Sequence, residues 1–132
     1  FEVVLLREDD SFISLKDRVA KINQIQPDLL ISLHVNTSTN KLTSGYETYV
    51  SKDNSFFDVS VEWATKITNH WTATKLQARS SKYAPLFILS KSNCAAVCLE
   101  LGFLSNELDH NYLISNEGQD EIAEKIIEVL QK

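Results

Sequence analysis

Apolar residues recur along this chain at two spacings, one typical of strands and one typical of helices. Runs of leucine, β-branched and aromatic residues predict strands at residues 1–6, 28–35, 46–50, 86–89 and 95–101. Apolar positions three and four residues apart predict helices over about residues 14–26, 54–74 and 116–131. Since strands and helices alternate, the pattern predicts an α/β fold with a mostly parallel or mixed sheet of about five strands and helices on both faces.

Two of the predicted boundaries have a specific cause. Ser14 is an N-cap candidate for the first helix, with Asp17 three positions later as an imperfect capping box. Pro27 ends that helix because proline cannot donate the next backbone hydrogen bond. The strand at 28–35 is almost continuously apolar, which predicts burial on both of its faces, as in a parallel sheet.

Size and charge narrow the class of protein. The chain has 132 residues, of which 43% are hydrophobic, so we expect a single domain over residues 1–132. A net charge of -5 disfavours a nucleic acid as partner. The apolar runs are too short for a membrane span. An acidic enzyme or an acidic binding domain fits this composition.

The two cysteines, Cys94 and Cys98, are four residues apart. Along a strand this spacing is roughly 13 Å, beyond the Cα separation of about 7 Å that a disulfide tolerates. We therefore expect Cys98 to be a free, buried thiol. A weaker hypothesis makes Cys98 a nucleophile with His34 as its base.

Candidate chemistry is concentrated in two segments, residues 32–36 and 100–106, each at the carboxyl end of an apolar strand. Side chains on a strand alternate between faces, so Ser32, His34 and Asn36 share one face. Glu100 similarly shares a face with Cys98. Ligands bind at the carboxyl ends of strands in open α/β sheets, so we expect His34 and Glu100 to meet in one cleft.

Each of these two side chains has a functional and a structural interpretation. His34 could bind a metal through one ring nitrogen while an acceptor holds the other. Glu100 lies among apolar neighbours that should raise its pKa, which suits proton transfer from water to a leaving amine. Alternatively, His34 is a hydrogen-bonded structural residue and Glu100 a salt-bridge partner.

Longer motifs follow one another in a characteristic order. They are Arg18 with Asn23, residues 28–36, residues 45–50 with Glu47, Arg79, residues 84–89, residues 100–106, Leu113, Gln119 and residues 122–126. In this order the chain resembles the zinc-dependent N-acetylmuramoyl-L-alanine amidases of bacterial cell-wall turnover. The resemblance covers nearly the whole chain.

The resemblance implies an α/β domain with one zinc held by two histidines and a glutamate. It implies hydrolysis of the amide between the lactyl group of N-acetylmuramic acid and L-alanine of the stem peptide. By position, His34 matches the last zinc ligand and Glu100 the catalytic glutamate. Asn36 and Arg79 match substrate-binding positions that line or brace the cleft. The remaining matches, at Arg18, Asn23 and Glu47, we interpret as structural.

One departure from the family pattern is large. The family's first zinc histidine lies in a Gly-His-Gly loop and its glutamate ligand on the helix that follows, and this sequence has no Gly-His pair. We therefore expect an amidase-like catalytic domain that is N-terminally incomplete. Two of three zinc ligands would be missing, so zinc binding should be weak or absent and the chain alone inactive.

The resemblance also implies partners and a location. It implies peptidoglycan as the substrate, an activator protein as a candidate partner, and a periplasmic or secreted location. The missing ligands keep an alternative open, namely a catalytically inactive amidase-like domain that binds cell-wall glycopeptide or a protein partner.

Overall fold

A computed structural model describes residues 1–71 and 75–132 as an α/β fold, as predicted. In chain order, its described elements are α1 (Leu15–Ile25), β1 (Leu29–Asn36), β2 (Tyr46–Val50), α2 (Phe57–His70), β3 (Ala78–Tyr83), α3 (Phe87–Lys91), β4 (Ala95–Phe103), α4 (Glu107–Ile114) and α5 (Asn116–Leu130). The last residues of the helix predicted over 54–74 lie outside the described residues.

The described strands form one mixed sheet in the order β1-β4-β2-β3. β1 runs parallel to β4, β2 runs parallel to β3, and β2 runs antiparallel to β4. The carboxyl ends of β1 and β4 therefore meet the amino ends of β2 and β3 at one edge of the sheet. This edge holds the four candidate site residues, His34, Asn36, Arg79 and Glu100.

Alternation along β4 divides the core between the two faces of the sheet. On one face, Ala96 and Cys98 pack in a cluster with residues of α1 and α3. On the other face, Val97 and Leu99 pack in a cluster with residues of α2, α4 and α5. Helices thus cover both faces, as predicted. None of the helices in the described part of the chain is long and apolar enough to cross a membrane.

Two predicted strands are wrong. Residues 1–6 form no regular structure, and Phe1, Val3 and Leu5 are exposed. A strand needs a hydrogen-bonded neighbour, and none of the described strands pairs with this segment. The apolar run at 86–89 enters α3 instead, where Ile88 and Leu89 are buried on one side of a short helix. A short apolar run is compatible with either structure.

The predicted burial of β1 on both faces is also wrong. β1 is an edge strand that pairs only with β4 among the described strands, and Leu30 is its only buried residue. Leu33 and Val35 are 52% and 41% exposed. The apolar pattern fits an internal strand, but the sheet described here leaves one side of β1 without a neighbour.

The helix boundaries follow the predicted signals. The Ser14 hydroxyl accepts a hydrogen bond from the backbone N of Asp17 at 3.1 Å, which caps α1. The helix ends at Ile25, and Gln26 adopts a left-handed conformation with φ of 53° before Pro27. The predicted last helix is present as α5.

Candidate active site

Three polar side chains form a row across the edge of the sheet. His34 of β1 is the register partner of Glu100 of β4, and Glu100 is in turn the partner of Glu47 of β2. Residues directly opposite each other on neighbouring strands point to the same face. The structure therefore brings His34 and Glu100 together as expected and adds Glu47 beside them. Their catalytic and ligand roles remain predictions.

Glu100 has the electrostatic character expected of a proton-transfer group. Its Oε2 is buried and has no hydrogen-bond partner among the described residues. Burial raises the pKa of Glu100, nearby His34 partly lowers it, and the Glu47 carboxylate adds to the rise. A carboxyl group without fixed donors can exchange a proton with a water or an amine more readily than one held in an ion pair.

His34 is exposed and is oriented by its own strand. Its Nε2 lies 3.0 Å from the hydroxyl of Ser32, two residues earlier on the same face. Within the described part of the chain, no hydrogen bond engages its Nδ1. The imidazole therefore has one nitrogen held by the protein and one directed away from that contact.

Glu47, in contrast, is saturated with donors and only 2% exposed. Its Oε1 accepts from Arg79 Nε at 2.7 Å and from Lys82 Nζ at 2.8 Å. Its Oε2 accepts from the hydroxyl of Tyr49 at 2.8 Å. Burial alone would raise the pKa of Glu47, but the hydrogen bonds from Lys82, Tyr49 and Arg79 outweigh it and lower the pKa. Glu47 is therefore held as a carboxylate.

Arg79 joins neighbouring strands at this edge of the sheet through contacts besides its bond to Glu47. Its Nη1 donates to the carbonyl of Ser44 at 3.2 Å, and its guanidinium carbon lies 5.4 Å from the centre of the Phe103 ring. Together with the bond to Glu47, these contacts connect the start of β3 to the start of β2 and to the end of β4. The structure thus places Arg79 beside the row, next to Glu47 and not next to Glu100.

Asn36 lies at the end of β1, where the register with β4 shifts. Its side-chain Oδ1 accepts from the backbone N of Thr37 at 2.8 Å. Its backbone carbonyl accepts from the backbone N of Leu104 at 2.9 Å. Asn36 therefore stabilises the rim of the site, and a direct contact with substrate remains a prediction.

Asp109 of α4, which no sequence motif singles out, holds the rim together. It is 2% exposed, and its Oδ2 accepts from the backbone N of Gly45 at 3.0 Å and of Phe103 at 2.9 Å. Its Oδ1 accepts from the hydroxyl of Ser44 at 2.5 Å. Gly102 (φ 147°) allows this approach, since a Cβ there would lie 3.3 Å from Asp109 Oδ2.

Cys98 and Cys94 are free and buried, as predicted for Cys98. Burial, with a contribution from the charge of Glu100, raises the pKa of the Cys98 thiol to about 12. Only a thiolate is an effective nucleophile. The structure therefore gives no support to Cys98 as the reactive group.

Two further residues have the structural roles expected of them. Arg18 Nε donates to the carbonyl of Ile13 at 2.9 Å, next to the start of α1. Asn23 donates to the carbonyl of Lys91 at 3.2 Å and accepts from the backbone N of Asn93 at 2.8 Å, which joins α1 to the segment before β4.

The described residues alone do not complete a zinc site. No three His, Cys, Asp or Glu side chains group closely enough within residues 1–71 and 75–132 to hold a metal ion. At the candidate site, His34 and Glu100 are neighbours, but Glu47 is occupied by its own donors. Zinc in proteins takes three or four protein ligands. A zinc ion at this site would therefore need ligands in addition to those that the described residues offer.

The fold and the site together define a class of protein, an α/β domain with an imidazole and a buried carboxyl at one edge of a mixed sheet. A family model described as N-acetylmuramoyl-L-alanine amidase matches residues 1–132. The chain therefore belongs to the N-acetylmuramoyl-L-alanine amidase family. The predicted family is confirmed, and its zinc dependence stays a prediction for this chain.

Individual relatives agree with this assignment. The chain is 34% identical over 125 residues to the uncharacterized protein YqiI of Bacillus subtilis (strain 168), covering 94% of the chain and 60% of YqiI. It is 30% identical over 130 residues to the N-acetylmuramoyl-L-alanine amidase LytC of the same organism, covering 93% of the chain and 25% of LytC. The chain thus spans less than two thirds of either relative.

A solved structure agrees closely with the fold. The crystal structure of an N-acetylmuramoyl-L-alanine amidase from Clostridium difficile 630 superposes with a TM-score of 0.91 at 31% sequence identity. The match covers 98% of this chain and 70% of that one. The arrangement of strands and helices described above is therefore that of an amidase domain.

Proposed function

We propose that this chain forms the core of a peptidoglycan hydrolase that cleaves the amide between the lactyl group of N-acetylmuramic acid and L-alanine of the stem peptide. The observation that carries the proposal is the Glu100 carboxyl, register-paired with His34 and with one buried oxygen that no described residue satisfies. Family membership supplies the substrate class.

In this proposal Glu100 is the general base and then the general acid. Its carboxylate takes a proton from water as the water oxygen bonds to the amide carbon. The same proton then passes to the nitrogen of L-alanine as the carbon–nitrogen bond breaks. The raised pKa of Glu100 makes its carboxylate a stronger base toward the water than an ordinary carboxylate, and the same group then holds the proton for the leaving nitrogen.

His34 is proposed as one zinc ligand of the complete site, and Nδ1 is the ring nitrogen that is not engaged by Ser32 and would be available to bind. Zinc would polarise the amide and acidify the attacking water. Because the described residues offer too few ligands, we expect weak or no zinc binding by this chain alone, and no turnover. Asn36 and Arg79 remain proposed residues of the substrate cleft.

The experiment compares this chain with a version extended at its N terminus by a Gly-His-Gly strand–helix unit. We expect the extended protein to bind one zinc and to release stem peptides with new N-terminal alanine from purified sacculi. Glu100→Gln in the extended protein should lower turnover by about 10³-fold with zinc content unchanged. Full activity of this variant would remove Glu100 from the mechanism.

A second candidate function is binding without catalysis. It is favoured by the lack of a three-ligand group in the described part of the chain. In this case the protein would bind cell-wall glycopeptide or a protein partner and release no product. Sedimentation with sacculi, with no stem peptide released by the extended protein, would support this second candidate.

Partners and location are proposed on the same basis. Murein lies outside the cytoplasmic membrane, so an amidase acting on it would be periplasmic or secreted. An activator protein is a further proposed partner. Labelled antibody detection in fractionated cells would test the location.

A further inference from the structure

We infer that Arg79 and Lys82, held on the Glu47 carboxylate, form a subsite for a carboxylate of the stem peptide. This inference rests on the proposed function, because it names the part of the peptidoglycan that the edge of the sheet recognises. The anchor of the subsite, Glu47, lies beside Glu100, since the two are register partners on neighbouring strands.

The first support is that the subsite is built on a buried anchor. Glu47 is 2% exposed and fixes both cations through Oε1, while Tyr49 fixes Oε2. The ring of Tyr49 also lies 5.7 Å from Lys82 Nζ. A cation whose position is set before binding loses less conformational entropy when a ligand arrives.

The second support is an excess of positive charge. One carboxylate faces two cations, so the group of Glu47, Arg79 and Lys82 carries a net charge of about +1 in a chain whose net charge is -5. The bonds to Glu47 keep Lys82 protonated by raising its pKa. A single cation would neutralise Glu47, so the second cation leaves a positive charge that a ligand carboxylate can offset.

The third support is accessibility. The side chains of Arg79 and Lys82 are 40% and 42% exposed although they contact a buried acid. Arg79 uses Nε and Nη1 for Glu47 and Ser44, and its Nη2 has no partner among the described residues. A planar guanidinium edge and an ammonium are the groups that carboxylates bind best.

Peptidoglycan supplies an anion of this kind close to the cleaved bond. The alanine released by the proposed reaction is followed by an acidic residue of the stem peptide, and an extended residue spans about 3.3 Å. Arg79 and Lys82 belong to β3, two strands from β4, but their charged groups reach back to Glu47 on β2, which is one strand spacing of about 4.8 Å from β4. A carboxylate one residue beyond the scissile amide fits this separation.

The test measures binding by the 132-residue chain of two probes that differ only in charge. The probes are N-acetylmuramoyl-L-alanyl-D-glutamate and its diamide, and NMR titration measures the affinity of the chain for each. We expect the acid to bind about fivefold or more tightly than the diamide. Lys82→Gln should remove most of this preference, and Lys82→Arg should retain it.

The matched control is Lys66→Gln. Lys66 also lies over an aromatic ring, with Nζ 4.7 Å from the centre of the Trp63 ring, but this lysine is exposed on α2. This control should keep the full preference. Thermal unfolding of each variant checks that it remains folded. If Lys82→Gln does not fold, Lys82→Arg is compared with the wild type instead, and loss of the preference in folded Lys82→Arg would count against the subsite.

Equal affinity for both probes, failure to bind either one, or an unchanged preference in folded Lys82→Gln would overturn the subsite. These results are distinct from failure of the proposed function. Hydrolysis by the extended protein without charge preference would retain the amidase and remove the subsite. A charge preference without hydrolysis by the extended protein would retain the subsite and remove the amidase.

Discussion

Glu47 and Glu100 are the same residue type on neighbouring strands, paired in register, yet they are in opposite states. Glu47 accepts hydrogen bonds from three side chains, which lower its pKa. Glu100 has a buried oxygen without a partner in the described part of the chain, and its pKa is raised. Burial acts on both in the same direction, so the donors decide the difference.

This contrast separates stability from chemistry at one edge of the sheet. The half formed by β2 and β3 holds the strands together through an ion cluster in which the buried Glu47 carboxylate has all its donors. In the described part of the chain, the half formed by β1 and β4 has one buried oxygen without a partner, Glu100 Oε2; such atoms cost stability and are typical of functional sites. Substitutions at the two glutamates should therefore have opposite effects on stability.

The largest expected effect is on the free energy of unfolding. Glu47→Gln should lower it by about 2 to 3 kcal/mol, since a neutral amide cannot compensate two cations at a buried position. Glu100→Gln should leave it unchanged or raise it by up to about 1 kcal/mol, since a buried, unpaired carboxylate is removed. Urea unfolding of the two variants measures the difference directly. Equal losses in both would remove the contrast between the glutamates.

A smaller effect is expected at Asp109, which supports the rim shared by both halves. Asp109→Asn places an amide in contact with donors that now bind a carboxylate, namely the backbone of Gly45 and Phe103 and the hydroxyl of Ser44. We expect a loss of about 2 kcal/mol in urea unfolding. Asp120→Asn, at an exposed acid on α5, is the control and should change stability by less than about 0.5 kcal/mol. A small loss at both positions would show that the rim does not depend on Asp109.

The smallest expected effect is a pH dependence of opposite sign at the two glutamates. The folded pKa of Glu47 is lowered from 4.5, so its contribution is present above that pH and is lost as pH falls through the folded pKa. The folded pKa of Glu100 is raised from 4.5, so its ionisation lowers the stability of the wild type. As pH falls and Glu100 is protonated, the stability of the wild type therefore rises relative to that of Glu100→Gln. Melting temperatures of the wild type and both Gln variants between about pH 3 and 8 test this. Parallel curves for the two variants would contradict it.

Periodicity was sufficient for the elements with strong apolar patterns. The strands at 46–50 and 95–101 and the last helix were predicted within a few residues of β2, β4 and α5. β3 was not predicted because most of its residues are exposed and it has no apolar alternation. α4 was not predicted because its apolar residues lie on no single face, although the Asn106 side chain caps it by accepting hydrogen bonds from the backbone N of Leu108 and Asp109.

The pairing of His34 with Glu100 followed from two strand ends and alternation, whereas the Glu47 cluster did not. Arg79 and Lys82 are three residues apart, so a regular strand would place them on opposite faces. The register between β2 and β3 shifts at this point, which brings both to one carboxylate. Such an irregularity has no signature in the pattern of apolar residues.

The sequence by itself determined the α/β class, the family and the two strand ends that carry an imidazole and a carboxyl, because local periodicity and motif order are properties of the chain alone. Only the tertiary structure decided which glutamate is satisfied and which is not. That outcome depends on donors brought from a strand more than thirty residues away by the sheet order and a register shift. Ionisation follows the surroundings of a side chain, and those surroundings exist only after folding.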